Sequence, residues 1–569
     1  MALSLVFWVF QSLIFLCYGR AFLRLLCLLS GKDARFKSPL VLQFLTGLAI
    51  VTTIASLFSL FFPLNGPVLA IITAGAVVLF VFEWKEDHFK GFIKGFIFPS
   101  GKKLWILVCS VLLLIVLEVS TRTPGNSDTG IYHAQAIRWI ETYPAVPGLG
   151  NLHNRFAYNS SWLVVNALFS FAFTHLRSFH TLPGFLMTVF VLYAMQGVLQ
   201  IFHRESRLSN WFTACLLPLL FFKQLSESAS PGTDLPAILL SWFILAEWMK
   251  DIETPGNDPC RPVILVLLSA FAITIKLSVL PILLIPIFFI VNQFLHRETK
   301  AVFIMILLVV LVLIPWMARN VITSGYLVYP EPALDLFQVD WKIPKEEVIS
   351  ERITIQSWAR IQRMDASVVH DMPFSTWFPI WFRNLSLFYQ CMLWVILFSP
   401  MILLLSVILN KTRHTTLVIS LKILPVYGLL YFSLIFWLFN APSLRFGFGF
   451  LTATFVFTLL PVFILLQKKQ CPWINRLAAI SLVFSCFLFY GFFYQGSEMK
   501  TLPERLAIPA DYENLSTTPC QLDTVTVFCA DWYSVCGYDA FPCVPQVNPD
   551  VSLRRNSLRN GFWQKSSGD

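Results

Sequence analysis

The residues with the most chemical potential lie between Asp128 and Asn159. Asp128 follows a Pro-Gly-Asn-Ser turn and opens an amphipathic stretch. A carboxylate there has two uses: it caps the free backbone N–H groups of a helix start, or it accepts the proton of a substrate hydroxyl during group transfer. Tyr132, Ala136 and Trp139 fall on one helical face beside Ile140, with His133 and Arg138 pointing elsewhere. Such a helix is expected in the interfacial zone of a membrane, where Trp and Tyr are favoured. The following segment VPGLGNLHNRFAYNSSW makes a compact turn and then crowds His153, Asn154, Arg155, Tyr158 and Asn159 together. A linker seldom needs so many side-chain donors and acceptors; a binding surface does.

Four further charges stand at helix ends: Asp234 in SASPGTDLPA, Lys276 in AITIKLSVLP, Arg319 in PWMARNVITSGYLVYP and Arg445 in NAPSLRFGFGF. Each alone reads equally as a snorkelling or capping residue. Gathered at one level of a membrane, three cations and two carboxylates would form a socket for an anionic head group. Asp128, His133, His153 and Asp234 are also possible metal ligands. Asp128 and His133, however, stand five apart, off the i, i+4 spacing that sets two ligands on one helix face. No metal site and no other cofactor is expected.

The elements that must position these residues are membrane helices. Of 569 residues, 56% are hydrophobic and only 13% charged, far from the quarter or so of charged residues in soluble domains. Apolar runs long enough for a bilayer recur from Leu3 to Phe493, giving about 14 spans centred from Phe10 to Leu482. The net charge of +10 is then a matter of basic cytoplasmic loops, and nucleic-acid binding is discounted. The opening MALSLVFWVFQSLIFLCYG has no basic start and no cleavage site, so it reads as a span.

Residues 160 to 173 are apolar but short. Taken as a helix against the outer membrane face, they leave the basic loops 20–37, 85–103, 203–207, 250–261, 296–300, 411–414 and 467–470 inside and the amino terminus outside. The outer face then carries the loops 121–183 and 319–379 together with Asp234, Lys276, Arg445 and the tail. The chain divides into a three-helix extension (1–103), a transmembrane core (104–494) and an extracytoplasmic tail (495–569).

That tail holds Cys520, Cys529, Cys536 and Cys543. An oxidising compartment permits pairing, with Cys536 to Cys543 the first expectation, closing a loop around GYDAFP. Four free thiols in a reducing space is the alternative; a zinc site lacks the C-x-x-C or His companion it would want. The charged run DWKIPKEEVISERITIQSWARIQRMD suggests one or two surface helices over the site, with Glu346, Glu347 and Arg360 solvated.

The stretch SDTGIYHAQAIRWIETYPAVPGLGNLHNRFAYNSSW resembles a largely uncharacterised family of bacterial polytopic membrane proteins. That family carries D-T-G-x-Y-H-x-Q-x-I-x-W-I, then V-P-G-L-x-N-L-H and an N-S-S-W close. The likeness continues in SPGTDLPA, TIKLSVLP, RNVITSGYLVYP, APSLRFGFGF and CGYDAFPCVPQVNPDVSLRRNSLRNGF, so it spans most of the chain from Asp128 onward. Asn154 stands where a Gly is usual, and Ser443 where an Asp is common. The arrangement of a span, an acidic outer loop and surface helices also resembles the GT-C superfamily of integral membrane glycosyltransferases.

The resemblance implies a GT-C-like, all-α fold in the cell inner membrane. It implies a sugar donor on a polyprenyl phosphate and an inverting transfer, on the extracytoplasmic side, to a glycan, lipid or protein acceptor. Asp128 would be the acceptor-activating base. Lys276, Arg319 and Arg445 would meet the leaving phosphate, with Arg155 as a fourth cation. His133, His153, Asn159 and Asp234 complete the expected substrate-binding set. A lipid-linked glycan polymerase or ligase of another fold remains an alternative, as does a transporter or flippase. The latter would usually show internal repeats and charges nearer the midplane.

Overall fold

In a bilayer, an apolar run can satisfy its backbone only by bonding to itself as a helix. The computed structural model of the chain is accordingly an all-α polytopic membrane protein, with small sheets confined to the tail. It describes all residues except 30–38, 86–102, 176, 204–206, 256–257, 259, 410–412, 460–462, 464–471, 495–499, 532–534 and 565–569. Much of the basic loop sequence expected on the cytoplasmic side (30–37, 86–102, 204–206, 411–412 and 467–470) therefore lies outside the described residues.

Eight described helices are long and apolar enough to cross a membrane, and five shorter apolar helices accompany them. This is fewer full-length spans than the sequence suggests. Shorter elements such as Arg261–Ile275 and Leu444–Phe457 are sheathed mostly by protein, so they need not match the hydrocarbon thickness. The amino-terminal helices Ala2–Leu29 and Leu40–Phe58 cross in backbone contact. A Cβ on Gly19 would lie 1.9 Å from the Gln43 carbonyl oxygen, and one on Gly47 would lie 1.8 Å from that of Phe15. Only glycine permits this approach. The two helices share one hydrophobic core with Leu182–Phe202 and Arg261–Ile275.

The short helix in the ambiguous segment, Ser161–Leu168, is buried at every residue. It packs on Leu40–Phe58, Ala134–Thr142 and Arg261–Ile275, inside the protein and not against the membrane face. Ser160 Oγ donates to the Ile275 carbonyl at 2.7 Å, and the Ser161 and Thr274 hydroxyls meet at 2.7 Å, so its polar start is satisfied within the bundle.

The tail forms an antiparallel pair, β1 (Thr517–Leu522) with β2 (Val525–Ala530), joined in parallel by β3 (Cys543–Val544). A second pair joins β4 (Val551–Leu553) to β5 (Phe562–Gln564). Disulfides link Cys536 to Cys543, as the sequence suggests, and Cys520 to Cys529. The small sheets pack on the amphipathic segment: Tyr132, Trp139 and Val146 share an apolar cluster with Val527, Val544 and Phe562. Ile137 and Ile140 on the other side join the bundle core. The expected interfacial helix is thus sandwiched between bundle and tail, because the tail supplies the apolar cover that lipid was expected to give.

Candidate functional site

Asp128 does not cap. Its own N–H donates to Asn126 Oδ1 at 2.9 Å, and the π-helical turn Thr129–His133 that follows receives no side-chain cap from it. The carboxylate accepts instead from Arg445 Nη2 at 2.6 Å. Arg445 stands in the first turn of Leu444–Phe457, and its Nε lies 3.9 Å from Asp234 Oδ2. Asp234 begins the helix Asp234–Glu253 and is ion-paired with Lys276. Lys276 is available because its chain segment is broken. The helix Arg261–Ile275 ends there in extended backbone, and a 3-10 turn, Leu277–Leu283, carries on. Asp128, Arg445, Asp234 and Lys276 therefore form one alternating row of charge drawn from four separate segments.

This row borders a cavity of about 560 Å³, lined by Asp128, Lys276 and Arg445 on one side. Arg155, Tyr158 and Asn159 contribute a second wall, and the helix Lys345–Arg360 a third through Glu351, Arg352 and Trp358. The Arg445 guanidinium sits 5.4 Å from the Trp358 ring centre, and the Lys276 ammonium 4.7 Å from that of Phe446. Both cations thus keep aromatic faces as well as carboxylates for company.

Burial alone would raise the proton affinity of Asp128. The positive charge of Arg445, with His133 and Lys276 behind it, outweighs this and holds the carboxyl below its ordinary range. It is ionised at neutral pH. His133 is pushed down to about 4 by burial, which outweighs its carboxylate neighbours, and so is neutral there. Its Nδ1 lies 3.4 Å from Thr129 Oγ1. His153 is likewise pushed to about 4 by burial and packs its ring 5.0 Å from that of Phe156. Neither histidine is among the residues lining the cavity.

Arg319 is also placed elsewhere. It is 5% exposed and donates through Nη1 to the Ser59 hydroxyl at 3.0 Å and the Ser59 carbonyl at 3.4 Å, at the carboxyl end of Leu40–Phe58. A cation is favoured at such an end. Its neighbours Trp316 and Asn320 line the cavity instead. Asn159 serves that wall structurally: its Nδ2 donates to the Trp316 carbonyl at 2.8 Å, and Trp316 Nε1 donates to the Asn159 carbonyl at 2.6 Å. Among the described residues no group of three His, Cys, Asp or Glu converges as a metal site would require, so Asp128, His133, His153 and Asp234 do not assemble into one.

Glu351 is a cavity residue that the sequence reading passes over. It is buried and accepts from both the Tyr158 hydroxyl and Asn154 Nδ2, and burial raises its proton affinity despite these donors and Arg155. The signal was present: Glu351, Ile355 and Trp358, at i, i+4 and i+7, line the cavity from one face of their helix.

Helices long and apolar enough to cross a bilayer, packed around a cavity bordered by a row of ion pairs, define a multi-pass integral membrane protein. The chain belongs to the family described as "Domain of unknown function (DUF8201)", whose profile matches residues 1–452. No curated protein matches it significantly. Among solved structures it is similar to the "Crystal Structure of ArnT from Cupriavidus metallidurans bound to Undecaprenyl phosphate". The match has 12% identity and a TM-score of 0.28, over 68% of this chain and 78% of that one.

Proposed function

We propose that this protein is an integral membrane glycosyltransferase that moves a sugar from a polyprenyl-phosphate donor to a glycan, lipid or protein acceptor. The observation that carries the reading is the ionised Asp128 carboxylate, held beside Arg445 and Lys276 at the wall of a cavity large enough for a sugar. The acceptor hydroxyl attacks the anomeric carbon and gives its proton to Asp128. As the new C–O bond forms, the bond from that carbon to the lipid phosphate breaks on the opposite face, inverting the centre. The phosphate leaves with an added negative charge, which Arg445 and Lys276 meet; one such donor is typically worth about 2.7 to 4 kcal/mol in the transition state. Asp234 keeps both cations in place while the phosphate is away.

Arg155, on the cavity wall, is a further phosphate contact in this reading and Asn159 holds the same wall, whereas His133, His153 and Arg319 shape the site from behind. The positive charge comes from side chains, and the scheme invokes no metal. The paired tail cysteines favour an oxidising compartment, which supports a reading with the site on the extracytoplasmic side of the inner membrane. The resemblance in arrangement to GT-C enzymes, a span followed by an acidic outer loop and surface helices, points the same way.

The test is a deletion strain complemented with wild type or Asp128→Asn, with surface glycans compared by mass spectrometry and membrane levels matched. Loss of a defined sugar unit that only wild type restores supports the transferase. Full restoration by Asp128→Asn removes the base and with it this reading.

A further inference from the structure

Much of the polar character of the segment after Asp128 does not face the cavity. It faces the loop closed by the Cys536–Cys543 disulfide. The Gly130 carbonyl, two residues from Asp128, accepts from two successive tail amides, Cys536 N at 3.0 Å and Gly537 N at 2.9 Å. Gln135 grips the same loop with both ends of its amide. Nε2 donates to the carbonyls of Gly537 at 3.0 Å and Ala540 at 2.8 Å, and Oε1 accepts from Cys543 N at 3.0 Å. Arg138 donates to the Tyr538 carbonyl at 2.5 Å and also to that of Asp539, with its guanidinium 4.9 Å from the Phe541 ring. The Tyr538 hydroxyl donates to Glu141 Oε2 at 2.6 Å.

We propose that the Cys536–Cys543 loop is a clamp that positions Asp128, with Gln135 and the Gly130 carbonyl as its anchor points; the proposal rests on Asp128 being the transferring base. Two adjacent N–H groups converge on one carbonyl only while the loop keeps its turn, and the disulfide joins the loop's two ends. A Cβ on Gly130 would come within 2.6 Å of Cγ1 of Val535, the residue just before the loop, so a larger residue there disturbs the packing beside this contact. The cations that meet the leaving phosphate have a second anchor in Asp234, although Arg445 also bonds Asp128 itself. Arg445 stands on the helix Leu444–Phe457 and Lys276 in the break after Arg261–Ile275, and neither shares a hydrogen bond with the loop. Loosening the clamp therefore misplaces the base and leaves the donor site standing. A misplacement near 1 Å is enough to cost on the order of 100-fold in rate.

The experiment uses the full-length protein in lipid nanodiscs, with hydrogen exchange followed across residues 127–135 and steady-state transfer measured alongside. Cys536→Ser/Cys543→Ser removes the bridge, and Gly130→Ala disturbs the same contact with both disulfides intact. Cys520→Ser/Cys529→Ser serves as the control in the other tail hairpin. In the first two variants the 127–135 amides are expected to exchange on the order of ten-fold faster. Turnover is expected to fall roughly 10- to 100-fold with the donor KM within about two-fold of wild type. The control should alter neither.

Unchanged exchange at 127–135 in both variants overturns the clamp. So does faster exchange with normal turnover, or a donor KM that rises in step with the loss of rate. A different pattern separates the clamp from the proposed chemistry: if exchange and turnover respond as expected yet Asp128→Asn transfers normally, the loop orders the turn but Asp128 is not the base.

Discussion

Arg445 holds Asp128 at 2.6 Å through Nη2 while its Nε lies 3.9 Å from Asp234, so one guanidinium links carboxylates from two distant segments. A planar fork can do this; an ammonium is a point charge and cannot. Arg445→Lys should therefore lower turnover by roughly ten-fold and Arg445→Ala by 100-fold or more, both with near-normal membrane abundance. Equal activity of Arg445→Lys and wild type in a transfer assay would show that a charge suffices there and that the bridging geometry is incidental.

Asp234 and Lys276 form an ion pair whose side chains are 11% and 17% exposed. Removing one member of a largely buried pair strands the other charge, at a cost of about 3 kcal/mol or more, whereas removing both can be close to neutral. Asp234→Asn is thus expected to lower the unfolding midpoint clearly, and Asp234→Asn/Lys276→Met to recover most of that loss while remaining inactive. Thermal unfolding of the purified variants reads this directly. A double variant no more stable than Asp234→Asn would mean that the pair is not the unit of stability.

The acid side of the pH profile follows from Asp128. Arg445, His133 and Lys276 face it, and its carboxyl lies below the ordinary carboxylate range. A depressed carboxylate stays ionised until pH falls through its folded-state value. Its pairing accordingly adds stability at and above ordinary carboxylate pKa values, and that contribution disappears on further acidification. His133, pushed to about 4, does not titrate near neutrality either. The kcat/KM profile is therefore expected to be flat from about pH 8 down to about pH 5 as far as these groups are concerned. A limb centred near pH 6 that shifts in Asp128→Glu would show that burial, which acts in the opposite direction, prevails over the cations.

These expectations also mark what the sequence could carry. The membrane class, the amphipathic turn after Asp128 and the pairing of Cys536 with Cys543 are legible because hydropathy, spacing and local loop closure are short-range signals. The meeting of Asp128, Asp234, Lys276 and Arg445 follows from topology once all four are placed at the same end of the spans. Arg319 fails the same reasoning because one residue of rotation, about 100° around a helix, separates a cavity-facing position from a buried one. Trp316 and Asn320 fall on the cavity side and Arg319 does not. The grip of Gln135 on the tail joins residues 402 positions apart, and no local pattern encodes it. The interfacial reading of Tyr132 and Trp139 goes astray for the same reason. An apolar stripe looks alike whether lipid or a distant sheet covers it.

Under the proposed transfer, Glu351 offers a test of which part of the cavity receives the acceptor. It lies on the helix Lys345–Arg360, bonded to Tyr158 and Asn154, and lines the same cavity as Asp128 and Arg445. Its carboxyl makes no ion pair with Arg445 or Lys276, so its loss should leave the phosphate site intact. Glu351→Gln keeps the shape and removes the charge, and is expected to raise the acceptor KM about ten-fold while the donor KM and membrane abundance stay near wild type. Burial shifts this carboxyl upward, so a protonated fraction persists above the ordinary carboxylate range. The acceptor KM of wild type should accordingly climb as pH falls through that raised value, and the climb should vanish in Glu351→Gln. If Glu351→Gln instead raises the donor KM, Tyr158 and Glu351 belong with Arg155 to the end of the cavity that meets the lipid-linked sugar.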